Sequence, residues 1–118
     1  MSTANTPHVA VAKFAADQGT KITAHTADPG KTGADQAGTS SGATTWGAGS
    51  IATEGGIEYA IVPGSGVVLS VPAGSTITHW GQWNGTTFLR GYPLDGSITV
   101  NGTGAVNVTV TPRIRLRG

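Results

Sequence analysis

The sequence predicts an all-β domain, an antiparallel β-sandwich or jelly-roll-like barrel of about seven to nine short strands with a short N-terminal helix. Three observations carry that prediction. Val, Ile and Thr supply 35 of the 118 residues, and branched side chains pack well on a pleated surface. Turn signals built from Pro, Gly, Asn and Asp recur along the second half of the chain, separating short apolar runs. In residues 106–110, Val106, Val108 and Val110 alternate with Asn107 and Thr109, which turns one face of a strand inward.

Taken in order, Thr6-Pro7 opens a segment with the punctuation of a helix. Thr6 suits the cap, Pro7 the first helical position, and Gly19 a left-handed terminus. The alternation of Val9 and Val11 through Phe14 also suits a strand. Lys21 to His25 reads as a strand stopped by the turn Asp28-Pro29-Gly30. Residues 30–56 hold eight glycines, with Trp46 and Ile51 the large apolar side chains. A structureless loop of that length is uncommon in a compact domain. This Gly/Ser/Thr-rich arm or long loop therefore contains one or two short strands, or is ordered by contact with a neighbour.

From Ile57 the strands are explicit: Glu58–Val62, Val67–Val71 and Thr76–Trp83, bounded by Pro63-Gly64 and Pro72-Ala73-Gly74. Asn84-Gly85 predicts a tight hairpin joining Thr76–Trp83 to Thr86–Arg90. Asp95-Gly96 and Asn101-Gly102 repeat that chemistry before Ser97–Val100 and Ala105–Thr111. The chain, 1–118, reads as a single β domain.

Composition narrows the function. Charged residues make up 11% and the formal net charge is +1, which gives no field for a nucleic-acid clamp. Zero cysteines exclude disulfides, thiol nucleophiles and thiolate metal sites. No apolar run reaches the ~18 residues of a membrane-spanning helix, and Met1–Pro7 has no signal-peptide core. Leu, Ile, Val and Phe total 23, so the core is lean, and such a domain gains stability from copies of itself or from a larger surface.

Two segments resemble a known pattern. His25-Thr26-Ala27-Asp28-Pro29-Gly30-Lys31-Thr32-Gly33-Ala34 is similar to a "LHTADPGxTGA" segment of small structural proteins of tailed phages, often labelled tail-fibre-like or minor virion proteins. Val71-Pro72-Ala73-Gly74-Ser75-Thr76-Ile77-Thr78-His79-Trp80-Gly81-Gln82-Trp83 resembles that family's "VPAGTTITHVGLWD" strand, and Phe88-Leu89 with Gly91-Tyr92-Pro93-Leu94 continues the likeness. Residues 35–56 lack the family's "NEV…YAR" stretch, and Trp80 and Gln82 replace apolar residues. The resemblance implies a virion protein made in the host cytoplasm. A capsid decoration or minor capsid protein, docked on the major capsid protein as a homo-oligomer such as a trimer, is one expectation. A tail-fibre or tail-tip module binding host-surface glycan or another fibre subunit is the other.

Chemical motifs fall short of an enzyme, a cofactor or a metal. Gly30-Lys31-Thr32 ends like a phosphate-binding loop, but His25 stands where that loop needs glycine. His25, Asp28 and His79 offer imidazole and carboxylate without a supporting pattern. Gly64-Ser65-Gly66 is not a nucleophile elbow, and Glu54 and Glu58 are not framed as a glycosidase pair. The expected partners are protein, not nucleic acid or membrane.

The candidate interface is Trp46, Trp80, Tyr92, Arg113, Arg115 and Arg117. Alternation sets Trp80 on the face opposite Ile77 and Trp83, so Trp83 reads as core and Trp80 as a subunit or sugar-stacking contact. Arg113, Arg115 and Arg117 share one face of a terminal strand, with Ile114 and Leu116 on the other. They read either as a docking tail for an acidic surface or as charges that protect a sheet edge.

Overall fold

The computed structural model describes residues 5–101 and 104–117. A helix, α1 (Asn5–Asp17), precedes nine strands: β1 (Lys21–His25), β2 (Gly42–Ala43), β3 (Ser50–Glu54), β4 (Ile57–Pro63), β5 (Val67–Val71), β6 (Thr76–Asn84), β7 (Thr87–Thr99), β8 (Val106–Val110) and β9 (Arg113–Arg117). They form three antiparallel sheets, ordered β2-β1-β6-β7, β3-β4-β9 and β5-β8. The all-β, sandwich-like class is the one the sequence predicts. No described helix is long and apolar enough to cross a membrane.

Each sheet turns a period-two apolar face into one core. On β5 and β8 the pairs Val67↔Val110, Leu69↔Val108 and Val71↔Val106 line that face. Ile22 and Ala24 of β1, Ile77 and Trp80 of β6, Ala60 and Val62 of β4, and Ile114 of β9 complete it. α1 lies against β3, β4 and β9. It presents Ala12 and Ala16 to the core, small enough for a close approach. Gly49 sits so near Val9 that an added Cβ would stand 2.6 Å from its Cγ1.

The helix expected from Thr6 to Gly19 forms, with altered ends. It starts at Asn5, so Thr6 stands inside it, and Pro7 still lies in the first turn, where no backbone donor is needed. Gly19 does not adopt a left-handed φ. It is demanded by packing instead, because a Cβ there would lie 2.3 Å from the Trp83 carbonyl oxygen.

Residues 30–56 are woven into the domain by their own chain. They contribute β2 and β3 and the isolated bridges His25↔Gln36 and Trp46↔Gly64. Thr44 N donates to Thr20 O and Gly47 N to Pro63 O. The short strands that were one of the two expectations are present in this segment.

The β6–β7 hairpin is present one residue later than expected. Asn84 pairs with Thr87, so the turn is Gly85-Thr86, with φ of 59° at Gly85 alone. Positive φ at the first central position only is the pattern of a type II′ turn. Asp95-Gly96, expected to be a second turn, lies inside β7. β6 runs on far enough to pair with Ile98 and Thr99, and the surplus residues of β7 are absorbed in a register shift between Ile77 and His79. The Asn101-Gly102 turn lies partly outside the described residues. The strand expected at Ala105–Thr111 forms as β8, the chain breaks at Thr111-Pro112, and the arginines follow on β9 in a different sheet.

Candidate functional site

The most developed constellation surrounds β6, with a folded loop on one side of its centre and an aromatic cluster with the end of α1 on the other. The loop is residues 26–36, the segment carrying Asp28-Pro29-Gly30. It closes through Thr26 N donating to Asp35 O at 3.0 Å and Ala37 N to Ala24 O at 2.8 Å. Inside it, Gly30 N donates to Asp28 Oδ1 at 2.9 Å, and Gly33 N and Ala34 N both donate to Pro29 O at 3.1 Å. Gly33, at φ 78°, lies flat against the Trp83 ring, where a Cβ would come within 2.6 Å. Pro29 is buried on Gly91, whose added Cβ would stand 2.2 Å from Pro29 Cγ.

His25 holds this loop from beneath. Trp83 Nε1 can only donate, and it donates to Thr23 Oγ1 at 2.8 Å. The Thr23 hydroxyl then donates to His25 Nε2 at 2.7 Å, and His25 Nδ1–H donates to Ala34 O at 2.7 Å. A carbonyl only accepts, so His25 Nδ1 carries a proton, and in the neutral ring Nε2 is left to accept from the Thr23 hydroxyl. Burial pushes the His25 pKa below its ordinary value. The Ala34 hydrogen bond opposes that shift, nearby His79 adds to it, and Asp35 weakly opposes it. His79 is half-buried, with Nδ1 2.8 Å from Thr78 Oγ1.

These contacts use the groups that the sequence offered as ligands. Both His25 nitrogens are engaged within the chain, and Asp28 caps its own turn. Among the described residues, no group of three or more His, Asp or Glu is arranged to hold a metal ion. Gly30-Lys31-Thr32 lies in this exposed loop, without the helix N-terminus that a phosphate loop requires.

Across the sheet, three of the expected interface residues do come together, Trp80 buried and Trp46 and Tyr92 half-buried beside it. Trp80 stacks on Tyr92 with centroids 5.3 Å apart and packs against Trp46 at 6.0 Å. Trp80 is 1% exposed, so the expectation of a surface platform is corrected: it is core. Trp46 Nε1–H donates to Gly19 O at 3.0 Å, and burial raises the Tyr92 pKa against the opposing charge of Arg90. Trp83 is only half-buried, packed on Gly33 and edge-on to Phe88 at 5.0 Å. Trp80 is thus the core tryptophan, and Trp83 is half-buried beneath the loop. Register shifts in the β6–β7 pair break the simple alternation, and both faces of the sheet centre are covered.

Gln82 is the residue whose role the sequence did not announce. Its fully buried Nε2 lies 2.9 Å from Ala15 O, 3.1 Å from Ala16 O and 2.9 Å from Gly19 O. Its Oε1 accepts from Arg90 Nη1 at 2.6 Å, and Arg90 also donates to Ala15 O at 3.0 Å and to Gln18 Oε1. Gln82 and Arg90 therefore cap the C-terminus of α1 from a remote strand, and the cation suits the negative end of the helix dipole. One signal was available, because Gln82 stands where the resembling pattern has an apolar residue.

The three terminal arginines are not a free tail. β9 is an edge strand docked on β4, and His8 Nε2 donates to Leu116 O at 2.5 Å. Arg113 Nη1 donates to Glu54 Oε2 at 3.1 Å, and Arg115 Nε lies 3.1 Å from Glu54 Oε1. The Arg115 guanidinium also sits 4.4 Å over the Tyr59 ring. Arg117 is exposed. One further concavity, about 450 Å³, opens between Gly38–Ser40, Ser70–Ala73 and Gly104-Ala105, and no titratable side chain lines it.

No protein-family model, curated protein or solved structure matches this chain.

Proposed function

We propose that this chain is a non-enzymatic virion structural protein of a tailed phage, a capsid decoration or minor capsid protein. In this reading it docks on the major capsid protein as a homo-oligomer, a trimer where capsid subunits meet. It stabilises the head by adding buried surface across neighbouring subunits.

The observation that carries the reading is the use to which the resembling residues are put. His25 clamps its loop, Pro29 and Gly33 seat that loop on Gly91 and Trp83, and the segment after Val71 supplies the turn into β6. The two segments that are similar to phage structural proteins are spent on the frame of the domain. A shared frame is what a resemblance between structural proteins requires. The glycan-binding alternative has less support, because Trp80 is sealed in the core and Tyr92 is stacked on it.

The test is the copy number per particle, measured by quantitative mass spectrometry of washed virions against the major capsid protein. Hundreds of copies support the head assignment, and a few to a few dozen would move the protein to the tail. Absence from washed particles overturns the virion reading.

A further inference from the structure

His25 is fully buried, yet its cover is thin. It is the last residue of β1, and the loop that follows, residues 26–35, returns over its ring to offer Ala34 O to Nδ1. Within that loop Pro29 is buried and Gly33 half-buried, and the rest is exposed. Past its far end the chain is fastened to β1 by the His25↔Gln36 bridge and by Ala37 N donating to Ala24 O at 2.8 Å. The loop can lift between those anchors while the β1–β6 ladder, from Lys21↔Trp83 to His25↔His79, stays paired. Lifting breaks the Thr26 N–Asp35 O and His25 Nδ1–Ala34 O bonds. It uncovers Trp83, Phe88 and Gly91, on which Gly33 and Pro29 rest. A local opening of this size costs less than global unfolding.

The closed loop accommodates a second proton on His25 badly. Nδ1 already donates to Ala34 O, so the added proton goes to Nε2, which faces the Thr23 hydroxyl at 2.7 Å. That hydroxyl must then turn and accept from both Trp83 Nε1–H and His25 Nε2–H, and its own proton loses its acceptor. Gly81 backs onto the pair so closely that a Cβ there would stand 2.7 Å from Nε2 and 2.9 Å from Thr23 Oγ1, which leaves no space for water on that side. The neighbours give little help. β6 contributes His79, a second basic group, and β7 the Phe88 ring at 6.5 Å. The loop contributes the opposing carboxylate of Asp35, which is exposed, so water weakens its pull. An imidazolium does make a stronger bond to Ala34 O, but burial outweighs that gain and holds the His25 pKa below its ordinary value. With the loop lifted, water solvates the ring and the penalty of burial is relieved.

We propose that residues 26–35 form an acid-opened flap: a proton on His25 favours the lifted loop and bares the aromatic floor of Trp83 and Phe88. The proposal is independent of the functional reading above. The open population rises as pH falls below about 6.5, by at most about tenfold per pH unit for one proton, and levels off below the pKa of the closed state.

Native-state hydrogen exchange followed by NMR, corrected for the intrinsic exchange rate at each pH, reads the opening. The probes are the Thr26 amide and the Trp83 indole N–H, and the reference is the β5–β8 ladder. Between pH 7.5 and 5.5 protection of the probes should fall at least threefold while the reference holds. His25→Gln should abolish the fall. His79→Gln removes the second basic group and should shrink it. Asp35→Asn removes the opposing carboxylate and should enlarge it, and asparagine tolerates the φ of 60° at that position. Neither of these last two touches the hydrogen bonds that hold the loop, so their opposite signs carry the test if His25→Gln does not fold. Protection that ignores pH overturns the proposal, as does a fall shared by the β5–β8 ladder, which is global unfolding. A fall retained in His25→Gln, or changes of the same sign in His79→Gln and Asp35→Asn, also overturns it.

Discussion

The centre of β6 and the outer face of β9 manage polar chemistry in opposite ways. Around β6, Thr23, His25 and Gln82 are all buried, and each hydrogen-bonds within the chain. On β9, Arg113 and Arg115 are each about one-third exposed or less and converge on one carboxylate, Glu54, itself 35% exposed. In the first region, losing a partner removes a hydrogen bond where little water can replace it. In the second, water takes over much of what is lost. The comparison teaches where this fold is brittle: in the seam between helix, loop and β6, not in its most highly charged strand.

The strongest way to break that comparison is Gln82→Leu. The substitution keeps the volume and the apolar fit but removes a partner of three carbonyls and of Arg90. Each group keeps another partner (Gln18 N and Arg90 at Ala15 O, Gly19 N at Ala16 O, Trp46 Nε1 at Gly19 O), so the loss is that of the amide's own bonds in a dry site, roughly 2 kcal/mol, a fall in Tm on the order of 10 °C. Urea unfolding and calorimetry check it. A loss under about 1 kcal/mol would mean that water enters the seam and the contrast with β9 is false.

A second test uses pH. The folded state holds His25 below its ordinary pKa, so below about pH 6.5 the unfolded chain binds the extra proton more readily. Stability from this group is therefore full above that pH and is lost as pH falls toward the folded pKa. The slope is at most about 1.4 kcal/mol per pH unit for one proton. His79, across the β1–β6 pair, strengthens the effect, and Asp35 opposes it. Denaturant unfolding between pH 7.5 and 5 should show the slope in wild type, and His25→Gln should be less stable but flatter with pH. An unchanged slope in that variant would assign the proton to another group.

What was legible in the sequence follows the same division. Strand periodicity is a local property, so β8 is read correctly from its alternating valines, β1 and β5 from the turn residues that bound them, and the β6–β7 hairpin to within one residue. That Trp80 is more deeply buried than Trp83 was not legible. It depends on register shifts and on which elements cover each face of the sheet, which distant segments decide. Asp95-Gly96 misled for a related reason: turn chemistry is permissive, and a long partner strand kept the chain extended. The helix cap from Gln82 joins residues more than 60 positions apart, beyond any local pattern. The one clue, a glutamine where the resembling pattern has an apolar residue, marks a network without saying what it holds.

The smallest expected effect sharpens the other side of the comparison. Glu54→Gln removes the charge that Arg113 and Arg115 share while leaving an amide oxygen able to accept a hydrogen bond. With all three side chains partly solvated, the attraction is screened, and the expected loss is about 0.5 kcal/mol. The Arg115–Tyr59 stacking contact does not depend on Glu54 and keeps that side chain in place. Salt should separate the two contributions. The difference between wild type and Glu54→Gln should shrink as ionic strength rises, since exposed charges are screened beyond ~8 Å at physiological salt. For Gln82→Leu, whose partners are dry, the difference should persist. Thermal melts of both variants at low and high salt make the measurement. A loss from Glu54→Gln above about 2 kcal/mol, insensitive to salt, would place the arginine face in the same class as the β6 seam.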